Sequence, residues 1–338
     1  MRSEVFSIHT AKLFAEGVAR AAELLRAGQV VALPTETVYG LAANAWNADA
    51  VRRIYEIKGR PAENPIIVHV AGIDLARRCV SDWPPLASKM AAAFWPGPLT
   101  LVLPRSPEIP SIVTAGGVTV GVRWPSHPFI QAVIAACGFP LAAPSANRAN
   151  ELSPTNAEHV RKSLGTKIPL IIDGSQSQVG IESTVLDISC SPPRLLRPGM
   201  IHAESLLGVI GAGGLETDAG AVGKLRSPGL LPRHYSPKAM LIVAAWADEK
   251  ALLARVADKG FPLEKIHVVA HTHIPLGGKF GRVAVIPHDA EAYARAIYAE
   301  LHQCDEAGAE LIVVEAVPDG REWRGIADRF SRAAQSTP

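Results

Sequence analysis

The stretch Gln29-Val30-Val31-Ala32-Leu33-Pro34-Thr35-Glu36-Thr37-Val38-Tyr39-Gly40-Leu41 decides how this chain is read. Gln29–Leu33 reads as a buried strand, ended by Pro34. Thr35, Glu36 and Thr37 then place two hydroxyls and a carboxylate just past the strand, where an open α/β sheet presents its ligands. Such groups orient the amine or hydroxyl of a small polar molecule. Alone, the same pattern also suits a strand end with an N-capping threonine.

Outward from this stretch, helix and strand alternate. On the N-terminal side, Phe14, Val18, Ala21 and Leu25 recur at helical spacing and Gly28 supplies a stop. On the other side, Val51, Ile54 and Tyr55 mark a helix ending near Gly59, and Ile66–Val70 reads as a strand. Leu99–Leu103, Val118–Val122, Pro140–Ala143, Leu170–Ile172 and Thr184–Ile188 are further strands; Pro85–Phe94, Pro128–Cys137, Thr155–Leu164 and Ala203–Ile210 are helices. The pattern predicts an α/β or α+β layer fold around a mixed sheet. Gly211–Pro237, rich in glycine and turn formers, reads as a linker. Beyond it, strands at Met240–Ala245, Ile266–Ala270, Val283–Ile286 and Leu311–Val314 alternate with helices at Asp248–Asp258, Ala290–His302 and Arg321–Ala334. That is the spacing of a small Rossmann-like α/β domain. The expected division is 1–210, a linker at 211–237, and 238–338. A length of 338 residues agrees with two cores.

Composition narrows the function. Hydrophobic residues make up 48% and charged residues 20%, an ordinary globular balance, and the formal net charge is only +2. So small an excess does not mark a dedicated nucleic-acid binder, yet it allows a local cationic pocket. Cys79, Cys137, Cys190 and Cys304 are far apart and form no C-x-x-C, which argues for reduced thiols in a cytoplasmic protein rather than disulfides or zinc. Met1–Lys12 has no apolar core of signal-peptide length, and no run approaches a membrane span. Neither a G-x-x-x-x-G-K-[ST] phosphate loop nor a G-x-S-x-G nucleophile elbow occurs.

Further candidates lie at element ends. Lys58-Gly59-Arg60-Pro61, with Asn64-Pro65 after it, sets two cations astride a glycine; they reach a polyphosphate together, or simply complement a helix C-terminus. Ala143-Pro144-Ser145-Ala146-Asn147 offers small residues for close backbone approach and two hydrogen-bonding side chains. His69, Thr119, Arg123, Ser183 and Arg197 fall at or near strand ends, and Ser153 precedes a proline. An arginine so placed can bind carboxylate or phosphate bidentately.

Taken in order, P-T-E-T-V-Y-G-L (34–41), K-G-R-P (58–61) with N-P (64–65), A-P-S-A-N (143–147), G-I-E-S-T-V (180–185) and L-L-R-P-G (195–199) resemble the YrdC-like family, specifically its two-domain threonylcarbamoyl-AMP synthases. The likeness is strong from Gln29 to about Gly199 and looser beyond. It implies a twisted mixed-sheet domain with a large concave, positively lined cavity. L-threonine would be held near Thr37, His69, Arg123, Ala143 and Ser183. ATP would be held by Lys58, Arg60, Asn64, Thr119, Ser145, Asn147, Ser153 and Arg197, with His234 and Tyr235 folding over it. Lys58 and Arg60 would be the catalytic pair. Bicarbonate would be the third substrate, and magnesium would arrive on the phosphates, with no protein metal site and no organic cofactor. The product would pass to a tRNA threonylcarbamoyl transferase. The family's lysine-rich K-Y-K-H-Y stretch is replaced by Leu231-Pro232-Arg233-His234-Tyr235. The rival readings are an RNA-binding protein of the same fold, or at least weak RNA binding, and carbamoyl transfer from carbamoyl phosphate.

Overall fold

The computed structural model describes residues 3–217 and 235–334. The described residues form two units. The first holds those up to Thr217 except Asn150–Leu152, which cluster with the second unit from Tyr235 onward.

In the first unit the strands are β1 (Glu4–Ser7), β2 (Val31–Leu33), β3 (Gly40–Asn44), β4 (Val68–His69), β5 (Leu99–Pro104), β6 (Thr119–Arg123), β7 (Leu141–Ala142), β8 (Leu170–Asp173), β9 (Thr184–Asp187) and β10 (Arg194–Arg197). They build one sheet in the order β1-β8-β2-β3-β7-β4-β6-β5-β9-β10. Pairing is parallel at β1/β8, β8/β2, β4/β6 and β5/β9, and antiparallel elsewhere, so the sheet is mixed as expected. Its helices are α1 (Ala11–Arg26), α2 (Ala48–Lys58), α3 (Ile73–Cys79), α4 (Pro85–Phe94), α5 (Pro128–Cys137), α6 (Ala157–Leu164) and α7 (Ala203–Ile210).

Local chemistry fixes the helix that matters most here. Asn47 Oδ1 caps α2 by accepting from Asp49 N at 3.0 Å and Ala50 N at 3.1 Å. Gly59 ends it in the left-handed region at φ 60°, where glycine carries no Cβ penalty. That reversal sets Lys58 and Arg60 on either side of the helix end.

Period-2 alternation divides the sheet's two faces. Leu99, Leu101 and Leu103 of β5 enter a core with Val68, Val122, Ile54 and Met90. On the opposite face α1 and α5 pack over Val31, Leu33, Leu141, Leu170 and Ile172, with Phe14 edge-on to Phe129 at 5.2 Å. Over β6, β5 and β9 this face changes character. There the outward positions are Thr119, Gly121, Thr100, Val102 and Val185, and they line a crevice with Pro65 and Ile67. Thr100 and Thr119 of this crevice belong to the candidate site.

Residues 211–217, read as the start of the linker, lie against β10: Leu195 N donates to Glu216 O at 2.8 Å and Arg194 Nε pairs with Glu216 at 2.5 Å. Residues 218–234 lie outside the described residues.

The second unit has β11 (Met240–Ala244), β12 (Ile266–Ala270), β13 (Arg282–Val285) and β14 (Leu311–Glu315), with α8 (Glu249–Val256), α9 (Ala290–Glu306) and α10 (Arg324–Ala334). All three pairings are parallel, in the order β11-β14-β12-β13. The α/β sheet matches the expectation; its strand order is its own, and the β12-to-β13 crossover contains no helix. Leu252, Ile266, Val268, Leu311 and Val313 form its separate core.

Candidate functional site

The turn between β2 and β3 is tied down from several sides. Tyr39, fully buried, donates its hydroxyl to Ser175 O at 2.7 Å and accepts from Gly174 N at 3.1 Å. Val179 N donates to Glu36 O at 2.7 Å, and Gly180 N to Thr37 O at 3.1 Å. Thr35 donates its hydroxyl to Val38 O at 2.6 Å and accepts from Thr37 N at 3.3 Å. Its Oγ1 lies 3.0 Å from Thr37 Oγ1, so the Thr37 hydroxyl supplies that proton.

Arg123, at the end of β6, enters this turn from the sheet. Its Nη1 donates to Thr37 Oγ1 at 2.9 Å and its Nε to Gly97 O at 3.2 Å. Its Nη2 lies 2.7 Å from Glu36 Oε1, an ion pair with both side chains 4% exposed. Ser126 N also donates to Glu36 Oε1, at 3.0 Å. Burial pushes the Glu36 carboxyl up, but the Arg123 charge and these hydrogen bonds outweigh it and hold it below the usual carboxylate value. His69 stands beside Arg123 in register on β4. Burial, then the Arg123 charge, hold its imidazole neutral far below the usual histidine range.

A second cluster adjoins the first through β3. Leu41 N donates to Pro144 O at 2.7 Å and Ala146 N to Tyr39 O at 2.8 Å, and Gly40 bridges Ser145. The 143–147 loop therefore lies directly against the 34–41 turn. Lys58, buried at the end of α2, donates Nζ to Ser145 O at 2.6 Å, to Asn147 O, and to Asn147 Oδ1 at 3.4 Å. Arg60 donates Nη2 to Asn64 Oδ1 at 2.8 Å and to Pro65 O at 2.6 Å, and Nε to Asn64 O at 2.9 Å. Ala143 N donates to Ile67 O at 3.1 Å.

A third cluster joins β9, β10 and β5. Ser183 Oγ lies 2.8 Å from Thr100 Oγ1 and accepts from Arg197 Nη2 at 3.1 Å, while Arg197 Nε donates to Ser183 O at 3.0 Å. Ser153 donates to Glu182 Oε1 at 2.5 Å. Thr119 opens β6 on the crevice that also contains Thr100.

The structure thus joins Thr37 to Arg123 with His69 alongside, Lys58 to Ser145 and Asn147, Arg60 to Asn64, and Ser183 to Arg197. Tyr235 belongs to the second unit: its ring is buried 6.1 Å from that of Tyr298, and the Arg329 guanidinium lies 5.4 Å over it. His234 lies outside the described residues. Sequence reasoning passed over Thr100 and gave Glu182 and Glu36 no separate role. Thr100 had a signal, since it is the one polar residue in the apolar run Leu99–Leu103. Among the described residues, no group of three or more His, Cys, Asp or Glu is placed to hold a metal ion.

Comparison with known proteins identifies the family and the fold. The Sua5–YciO–YrdC family model, described as "Telomere recombination", matches residues 23–199. The model for the threonylcarbamoyl-AMP synthase C-terminal domain matches 201–335. A threonylcarbamoyl-AMP synthase of Pyrococcus abyssi is 38% identical over 326 residues, covering 93% of each chain. One of Bacillus subtilis is 40% identical over 329 residues, covering 94% of this chain and 92% of its own. P. abyssi Sua5 crystallised with L-threonine superposes with a TM-score of 0.88 at 35% identity, covering 99% of this chain and 98% of that one. Two family models in tandem, full-length relatives and a matching two-unit fold agree, and the chain belongs to the threonylcarbamoyl-AMP synthase family.

Proposed function

We propose that the protein joins L-threonine, bicarbonate and ATP into threonylcarbamoyl-AMP and pyrophosphate, and so acts as a nucleotidyltransferase. The observation that carries this reading is the adjacency of two buried clusters, whose loops are joined backbone to backbone by Ala146 N to Tyr39 O and Leu41 N to Pro144 O. One is the guanidinium–carboxylate–hydroxyl set Arg123, Glu36 and Thr37; the other is the Lys58 ammonium seated in the 143–147 loop. The first suits an amino acid and the second a phosphate.

The chemistry then needs position more than reactive side chains. The threonine amine loses a proton and attacks the carbon of bicarbonate, and water leaves. A carbamate oxygen next forms a bond to the α-phosphorus as the bond to pyrophosphate breaks. No covalent enzyme intermediate is required. Carbamates are labile in water, so the burial of Thr37, His69, Arg123 and Ser183 serves to exclude it. Lys58 and Arg60 would meet the phosphate charge that develops at transfer. Asn64, Thr119, Ser145, Asn147, Ser153 and Arg197 are assigned to ATP on the same reading, with His234 and Tyr235 as the outer contacts. Ala143 would present backbone to threonine. Magnesium would come with ATP, its ligands being phosphate oxygens and water.

The product would supply a tRNA threonylcarbamoyl transferase in the cytoplasm. Among the described residues no helix is long and apolar enough to cross a membrane. RNA binding alone would leave the buried Arg123–Glu36–Thr37 set without a use.

Pyrophosphate release by the purified protein tests the reading. Release is expected only when ATP, L-threonine and bicarbonate are all present. Equal release with threonine or bicarbonate omitted would refute it.

A further inference from the structure

Three buried side-chain atoms at the 34–41 turn have no hydrogen-bond partner: Glu36 Oε2, Arg123 Nη2 and His69 Nδ1. Their neighbours cannot satisfy them. The Thr35 and Thr37 hydroxyl protons are both spent within the turn, on Val38 O and Thr35 Oγ1. Ser126 N is spent on the other oxygen of Glu36. Arg123 Nη2 lies within ion-pair distance of Glu36 Oε1 without an aligned hydrogen bond. The turn therefore keeps one anionic acceptor without a donor, Glu36 Oε2, beside the Arg123 guanidinium that pairs with the other oxygen, both shielded from water. An unpaired buried carboxylate oxygen is costly. The cost disappears if a ligand brings the missing donor.

We infer that Glu36 is a substrate-contacting specificity residue, whose Oε2 receives the α-ammonium of the amino acid while the neighbouring Arg123 guanidinium receives its carboxylate. This rests on the function proposed above and adds a residue and a selection rule to it. The complementarity is of charge as well as shape. The Glu36–Arg123 pair is neutral overall, and so is a zwitterion. Docking one on the other buries no net charge, whereas a carboxylic acid without the amine would leave Oε2 unpaired and bring a second anion beside it. The site thus favours α-amino acids over their des-amino analogues, and it does so before any carbamate forms. Ser126 N and Arg123 on Oε1 hold the carboxylate so that Oε2 remains the vacant acceptor.

Titration calorimetry on the full chain tests this with two ligands, L-threonine and 3-hydroxybutyrate, which differ by the amine. The wild-type protein is expected to bind L-threonine at least about 10-fold more tightly, the scale of one hydrogen bond to a charged group. Glu36→Gln should lower threonine affinity by about 10-fold or more, leave 3-hydroxybutyrate unchanged or improved, and keep the KM for ATP within about two-fold. Glu36→Asp, which retains the charge, should fall between. Equal wild-type affinity for the two ligands overturns the inference whatever the variants do. So does a Glu36→Gln variant that keeps wild-type threonine affinity, or one that weakens both ligands equally, because Glu36 would then act only by holding Arg123. A wild-type chain without threonine-dependent pyrophosphate release overturns the proposed function instead.

Discussion

At the scale of single residues, the site is built from ordinary side chains made unusual by burial. His69 shows this most simply. Its imidazole stays neutral in the folded chain well below the usual range, because burial and the Arg123 charge both oppose a second cation. In the unfolded chain it takes a proton below about pH 6.5. The unfolded state then binds more protons than the folded one, so stability is full above that pH and declines as the pH falls through it. One such group contributes a slope of up to about 1.4 kcal/mol per pH unit. Denaturant melts from pH 7 to 5 should therefore fall less steeply for His69→Gln than for the wild type. His127, whose pKa burial also lowers, is common to both proteins and cancels in the difference. Parallel curves would show that His69 is not held neutral. The sequence displayed these residue types plainly: two hydroxyls and a carboxylate in 34–41, an arginine at a strand end, a lysine at a helix end. It could not display the direction of the hydrogen bonds. That both threonine hydroxyls spend their protons internally, leaving Glu36 Oε2 vacant, depends on angles that no motif encodes.

At the scale of elements, the strands that carry the site are held by close backbone contacts. Gly199 follows β10, and a Cβ there would lie 2.6 Å from Thr184 N, 2.8 Å from Thr184 Oγ1 and 3.0 Å from Glu182 O. Thr184 cannot give way cheaply, since its N donates to Pro98 O at 3.0 Å and its Oγ1 accepts from Ile201 N at 3.1 Å. Gly199→Ala should thus cost about 1–3 kcal/mol, as overpacking does, and disturb the Arg197–Ser183 contact beside it. Gly208 is the internal control: it lies within α7 with nothing within 4 Å of an added Cβ, so alanine there should be neutral or stabilising by up to about 1 kcal/mol. Matched urea titrations separate the two, and a Gly199→Ala protein as stable as wild type would contradict the packing argument. Legibility at this scale followed side-chain chemistry. α4, α5, α7 and β12 lie where apolar spacing placed them. β3 was missed because Gly40-Leu41-Ala42-Ala43-Asn44 lacks the branched and aromatic residues that mark strands. β1 was missed because it is a short edge strand with its first two residues exposed, and α3 because it is seven residues long with no side-chain cap.

At the scale of the whole molecule, helix–strand alternation announced two α/β regions, but not the ten-strand order or the inclusion of Asn150–Leu152 in the second unit. Those features rest on pairing between residues far apart in sequence, such as Ser236 N to Asn150 O at 3.0 Å, and local patterns carry no information about such pairs. What the two-unit division does imply is energetic. Each unit closes its own apolar core, with Leu101 fully buried in the first and Leu311 fully buried in the second. Two cores of this kind need not melt as one cooperative block. Calorimetry should accordingly give a measured enthalpy larger than the van't Hoff value for a single step. Leu101→Ala and Leu311→Ala should each remove about 2–5 kcal/mol from one transition and leave the other in place, because a buried leucine's loss is felt by the core that surrounds it. L-threonine should raise only the transition that Leu101→Ala lowers, since Thr37, His69, Arg123, Ala143 and Ser183 all belong to the first unit. A single transition lowered equally by both substitutions would mean that the two cores unfold together, and the division would then describe the shape of the chain but not its stability.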